Sequence, residues 1–270
     1  MARPATSSRQ SALKREAINP TSIEVNKIGV RDLRDALVLG YDDFLAKPSH
    51  LVFLCIMYPI AGLILCRLAF GYDVLPLVYP LIAGFALVGP FAAIGLYEVS
   101  RRRETGKDVS WRDALDVFHS AGIGAIMTLG AVLVVIFVAW LVAADMIYAA
   151  IFGNKTPASL SGFISDVFST PAGLRLAIVG NGVGAIFGIV TFAISVVSFP
   201  LILDRHVDVA TAVTTSIRAV AKNPAIMALW AVIIAIGLAF GIAMFFVGLA
   251  LVMPILGHAT WHLYRKVVQT

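Results

Sequence analysis

From Pro224 to Tyr264 the chain runs for 41 residues without an Asp, Glu, Lys or Arg. As a single helix that stretch would be about 61 Å long at 1.5 Å per residue, twice the roughly 30 Å of a bilayer's hydrocarbon core. The run therefore predicts two membrane spans folded back on each other, at about 224–244 and 247–266. The expected turn is Gly241-Ile-Ala-Met-Phe-Phe-Val-Gly248, because glycine permits the backbone conformations of a tight reversal. Four further apolar runs, at about 49–70, 74–99, 119–144 and 176–203, are each long enough to cross once. Only 14% of the 270 residues are charged, against about a quarter in an ordinary soluble domain.

The placement of the positive charges tests that count. Residues 1–47 hold eight Lys and Arg, residues 100–118 five, residues 204–223 three and the C-terminal tail two, so 18 of the 21 fall in alternate segments. Only Arg67, Lys155 and Arg175 fall in the others. Under the positive-inside rule the 18 lie on the cytoplasmic side, which requires an even number of spans and both termini inside. A net charge of +5 placed in loops beside spans describes membrane topology and excludes the nucleic-acid partner that a basic chain would otherwise suggest. The expected organisation is a polar, basic, disordered tail over 1–27 and an all-α, six-span membrane domain over 28–270. No removable signal is expected in the polar first 46 residues. Cys55 and Cys66, eleven residues apart, lie about 16 Å apart along one helix and read as small buried hydrophobes.

The chain also resembles itself. Gly84-Phe-Ala-Leu-Val-Gly-Pro90 and Gly248-Leu-Ala-Leu-Val-Met-Pro254 agree at five of seven positions, and in the same register Tyr97-Glu-Val-Ser-Arg-Arg102 lies opposite Trp261-His-Leu-Tyr-Arg-Lys266. Arg34-Asp-Ala-Leu37 recurs as Arg112-Asp-Ala-Leu115, and Ala46-Lys-Pro48 resembles Lys222-Asn-Pro224. Ahead of the spans lie three amphipathic stripes: Val30, Leu33, Leu37, Tyr41 and Phe44; Trp111, Leu115 and Phe118; and Val209, Val213, Ile217 and Val220. Each predicts a short helix lying at the membrane surface with its apolar side inward. The expected plan is three hairpins, each preceded by such a helix.

Ionisable residues inside spans are costly and are the first place to look for function. Glu98 precedes Arg101 and Arg102 and is expected to pair with them near the headgroups. Asp145 and Asn181, the latter flanked by Gly180, Gly182 and Gly184, are further candidates for buried polar groups. For Asp145 the alternative is a solvated span end, and for Asn181 close helix packing. Arg101, Arg102, Trp261 and Arg265 have the makeup of anchors at the membrane interface. His258 and His262 share a helix face at the i, i+4 spacing that suits joint coordination of a metal or haem. Two ligands are too few, although His50, His119 and His206 also fall at span ends on the basic side. The alternative is that these imidazoles bond to backbone or headgroups. No phosphate loop, Ser-His-Asp arrangement or HExxH motif is present, and no cofactor is expected. Prolines at 59, 90, 200 and 254 should bend their helices.

One resemblance rests on Gly89-Pro-Phe91, Gly95-Leu-Tyr-Glu-Val-Ser-Arg-Arg102 with Glu104 and Gly106, Pro200-Leu-Ile-Leu-Asp-Arg205, Asn223-Pro224, Met253-Pro254 and Gly257-His-Ala-Thr-Trp-His-Leu-Tyr-Arg265. Across about residues 30–267 the chain resembles a proteobacterial family of predicted integral membrane proteins catalogued as a domain of unknown function. The likeness implies a bacterial inner-membrane location and no established activity. Some relatives carry a label linking them to cytochrome c oxidase. An oxidase core has many more spans and membrane-buried histidines on several helices, so the sequence does not support that assignment.

The expected function is that of a non-catalytic inner-membrane protein acting by association, as an accessory or assembly subunit of a membrane complex or as a bilayer organiser. The alternative is a transporter of small solutes or lipids with a cavity formed by the repeated hairpins. A haem- or metal-binding protein using the histidines is the third and least favoured reading.

Overall fold

The computed structural model describes residues 23–46, 62, 72–107, 109, 113, 116–153, 156–157, 159–244 and 247–269. Most of the run at 49–70, with His50, Cys55, Pro59, Cys66 and Arg67, lies outside these. Among the described residues the chain is helical, apart from a single antiparallel bridge between Val25 and Val268. The helices are α1 (Val30–Ala46), α2 (Val78–Phe85), α3 (Gly89–Ala92), α4 (Ile94–Glu104), α5 (Ile123–Phe152), α6 (Leu160–Ser169), α7 (Pro171–Ser195), α8 (Ser198–Arg205), α9 (Val209–Lys222), α10 (Pro224–Ala243) and α11 (Leu249–Val267).

Four stretches are long and apolar enough to cross a membrane: 75–104, 123–152, 171–205 and 224–243. They cover four of the expected runs. The first is not one rod. The 3-10 turns Tyr72–Leu77 and Ala86–Val88 interrupt it around α2 and α3, and Pro90 opens α3, where its missing N–H and fixed φ suit a new helix start. Helix α6 was not expected; Ser159 caps it by accepting from Gly162 N, and Thr170 caps α7 by accepting from Gly173 N, the role these side chains fill at helix starts. Between α10 and α11 the chain reverses inside the expected Gly241–Gly248 stretch, so tightly that a Cβ on Gly248 would lie 2.9 Å from the Gly241 Cα.

Helix α11 holds more buried residues than any other described helix, at most positions from Met253 to Val267. On one side α4 runs parallel to it, with Leu96 against Gly257 and Glu104 against Arg265. The two stretches that resemble each other in sequence thus lie side by side. On another side α1 runs antiparallel. Asn26 donates to the Lys266 carbonyl, Lys266 pairs with Asp35, Gly40 abuts Ala259 and Asp43 meets His262. The expectation of a surface-lying α1 with Val30, Leu33, Leu37, Tyr41 and Phe44 inward holds at Leu33, Leu37 and Phe44 and needs correction at Val30 and Tyr41. Its buried residues are Leu33, Ala36, Gly40, Asp43 and Phe44, whereas Val30 and Tyr41 are 61% and 49% exposed. Helix α9 buries Thr211, Ala212, Thr215, Ser216 and Ala219, with Val209, Val213 and Val220 of the expected stripe packed against the core and only Ile217 of the four exposed. The reason is the same in both: small side chains let helix axes approach, and a large apolar residue gains nothing by leaving an apolar environment. Asp208 caps α9 through Thr211 N at 2.9 Å and Thr211 Oγ1 at 2.6 Å, and these bonds hold its carboxyl below the ordinary range. Packed structure also begins within the expected tail, since Ile23 and Val25 are buried. Most of the second amphipathic stripe lies outside the described residues.

Candidate functional site

Where α1, α4 and α11 meet, four polar side chains are buried together: Asp43, Ser100, His258 and His262, each less than a tenth exposed. Gly40 sets this junction. Lacking a side chain, it lets α1 close on the backbone of Ala259, which brings Asp43, one turn further along α1, onto the α11 face that carries both histidines.

The Asp43 carboxylate is the hub. It accepts from Ser100 Oγ at 2.5 Å and from His262 Nε2 at 2.8 Å, and it also takes the Arg103 guanidinium. Burial works to raise its pKa, but the bonds from His262 and Ser100 and the nearby imidazoles outweigh burial and hold it below the ordinary 3.8. Because the single hydroxyl proton of Ser100 goes to Asp43, the Ser100 oxygen can only accept from His258 Nδ1, 2.7 Å away. That assigns the Nδ1–H tautomer to His258, whose Nε2 has no hydrogen-bond partner. The network continues outward. Glu104 bonds Arg265 at 2.9 Å, Arg265 reaches Asp204 at 3.2 Å, and Tyr264 donates to Asp204 at 2.7 Å.

The fold thus joins the i, i+4 pair His258 and His262 to one Asp and one Ser from two other helices, partners that the sequence does not indicate. Their order still differs from a nucleophilic triad. A triad places the imidazole between carboxylate and hydroxyl so that it can take the hydroxyl proton. Here the hydroxyl stands between the other two, its proton committed to Asp43 and its oxygen fully enclosed, an arrangement that fixes positions and offers no attack. For a metal or haem, the two histidines direct Nδ1 and Nε2 at Ser100 and Asp43. Among the described residues no group of three or more His, Cys, Asp or Glu side chains is placed to hold a metal ion, and His119 and His206 are exposed elsewhere.

The other predicted residues fall as follows. Glu98, 2% exposed, accepts from Arg101 Nε at 2.8 Å and Arg102 Nε at 2.7 Å, and Arg102 also pairs with Asp113 and Asp116. Asp145 and Asn181 are not buried. Asp145 lies one position beyond Ala144 on the buried stripe of α5, which turns it by about 100° to the outside. Asn181 bonds Tyr79 Oη at 2.6 Å on the exposed face of α7. Trp261, expected at the membrane interface, is fully buried under Arg265, whose guanidinium sits 5.5 Å from the ring centroid. The hub itself escaped sequence reasoning. Asp43 would have emerged had the inward face of α1 been read from Ala36 and Gly40.

Beside this junction lies an apolar cavity of about 640 Å³. Helices α3, α4, α7, α10 and α11 enclose it, and Tyr97, Gly188, Thr191, Met227, Ala231 and Gly257 are among its walls.

No curated protein and no solved structure matches the chain. Residues 78–204, from the start of α2 to the last turn of α8, match the model of a family described as predicted integral membrane protein (DUF2189), the domain-of-unknown-function family that the motifs resemble.

Proposed function

We propose that this integral membrane protein is non-catalytic and works by association in the bacterial inner membrane, as an accessory or assembly subunit of a larger complex or as a bilayer organiser. One contrast carries the reading: the side chains able to do chemistry are buried and bonded to one another, while the long helices leave apolar faces uncovered. On α7, Ile178 and Ile189 are 65% and 67% exposed and share a face with Gly182, where a built Cβ would find nothing among the described residues within 4 Å. Small residues on such a face let another helix approach closely, and close packing is what joins helices in lipid. Purification in mild detergent should give a complex larger than the 28.8 kDa chain, and Gly182→Ile should disperse it. A lone monomer from native membranes would refute the reading.

The same proposal includes six spans with both termini cytoplasmic. It is supported by the gathering of Arg101, Arg102, Arg205 and Arg265 at one end of the bundle, where Arg205 reaches the Gln269 carbonyl and Arg265 reaches Glu104 and Asp204. A reporter fused after Thr270 and found outside the cell would overturn it. The cavity favours a second reading, a transporter of lipids or small apolar solutes. Proteoliposomes that move no labelled lipid or apolar solute would dismiss it.

A further inference from the structure

The cavity has two features that together specify an occupant. The first is its place. Three of the four stretches able to cross a membrane contribute walls, and its rim carries Ile189 and Val232, 67% and 50% exposed. Among the described residues no charged side chain lines it. Its occupant must therefore come from the bilayer and be apolar over most of its length. A volume of about 640 Å³ falls within the roughly 300–1,000 Å³ of single-molecule sites.

The second feature is Thr191. A helical serine or threonine hydroxyl with no better acceptor turns back to the carbonyl four residues earlier. Thr260 and Ser195, which also border the cavity, do this, bonding Leu256 O and Thr191 O. Thr191 is 3% exposed and borders the same cavity, yet its Oγ1 has no hydrogen-bond partner. A buried donor without an acceptor is costly, and a threonine in a helix has two χ1 positions open to it. One turn separates Thr191 from Ser195 at the end of α7. The same cavity is bordered by Val220 and Pro224, where α9 gives way to the stretch 224–243, the end of that stretch next to the basic residues expected at the headgroups.

We infer that the cavity holds one membrane phospholipid, an acyl chain filling its apolar body and the ester carbonyl accepting from the Thr191 hydroxyl. The site is a resident one. It requires no transport, and it stands whether or not the protein joins a complex.

The test uses the full chain, purified from native membranes in mild detergent and washed, with bound lipid identified and counted by native mass spectrometry and by extraction. Wild type should retain one phospholipid per chain. Thr191→Val keeps the volume and removes the donor, and should lose the lipid about five-fold faster, the fold-change of one ordinary hydrogen bond. Ala231→Phe, which projects into the cavity, should retain less than a tenth as much, and Ile178→Phe on the outer face of α7 should retain as much as wild type. Should Ala231→Phe fail to fold, the stoichiometry of wild type and the loss rate of Thr191→Val decide alone. Equal loss rates for wild type and Thr191→Val would overturn the assignment. So would a wild-type chain without phospholipid, an isoprenoid in its place, or a photoprobe at position 191 that labels the chain's own residues 49–70.

Discussion

Replacing Gly40 by alanine isolates the contact on which the polar junction depends. A Cβ at residue 40 would lie 2.5 Å from the Ala259 nitrogen and 2.7 Å from its Cα, against 3.4–4 Å for ordinary contact, so α1 and α11 must part by about 1 Å. The opposing atoms are backbone and cannot swing aside. Overpacking of this kind costs about 1–3 kcal/mol, here at the upper end. Alanine returns about 1 kcal/mol through its higher helix propensity, which leaves a net loss of roughly 2 kcal/mol. Gly180 is the control, because a Cβ there meets nothing within 4 Å, and Gly180→Ala should gain about 0.5–1 kcal/mol. Denaturant titration in detergent micelles, followed by tryptophan fluorescence, measures both. A Gly40→Ala protein as stable as the parent, or two variants moving in the same direction, would refute the claim that close backbone approach sets the junction.

Further outcomes are expected from the same titration. Asp43→Ala removes the shared acceptor of Ser100, His262 and Arg103 and should cost about 3–5 kcal/mol; Asp43→Asn, which keeps one acceptor oxygen, should cost less. Because the folded pKa of Asp43 is depressed below 3.8, its contribution is complete above that value and disappears as the pH falls through the lower folded value. A wild-type titration should therefore lose stability below about pH 4 more steeply than Asp43→Asn, and parallel curves would contradict this. Tyr264→Phe deletes the 2.7 Å bond to Asp204 from a residue 1% exposed and should cost about 1.5 kcal/mol, the low end for a bond to a charged group, since Arg265 still pairs with that carboxylate. No measurable change would show the bond to be incidental.

Much of the helical layout was legible in hydropathy. The runs at 119–144, 176–203 and 224–244 correspond to α5, to α7 with α8, and to α10, because a lipid-facing helix must be apolar all round and so announces itself by length alone. The Gly241–Gly248 reversal was legible for the same reason, since a run twice the bilayer thickness has to turn. What hydropathy hides is which face of a helix points inward. The stripes drawn through the large residues of α1 and α9 mark sides that are partly exposed at Val30, Tyr41 and Ile217, while the packed sides run through Ala36 and Gly40, and through Ala212 and Ser216. Periodicity of large apolar residues presupposes water outside, and that assumption fails here. The polar junction was half legible. The i, i+4 pair His258 and His262 was visible as a unit, but its partners Asp43 and Ser100 come from two other helices that only tertiary packing brings close. Glu98 was readable with Arg101 and Arg102 because all three belong to one helix turn.

The junction also dictates an order of events during synthesis. Asp43 and His262 are separated by 219 positions, so at about 5–20 residues per second the carboxylate waits roughly 10–40 seconds for its imidazole. Until α11 emerges, α1 lacks the backbone on which Gly40 closes, and Asp43 has only Ser100 and Arg103 of α4 as partners. The bundle can be sealed only after its closing helix is made. A nascent chain arrested before residue 258 exposes the Gly40 face of α1 and leaves Asp43 without its imidazole, a mark by which a protease could tell an unfinished copy from a finished one.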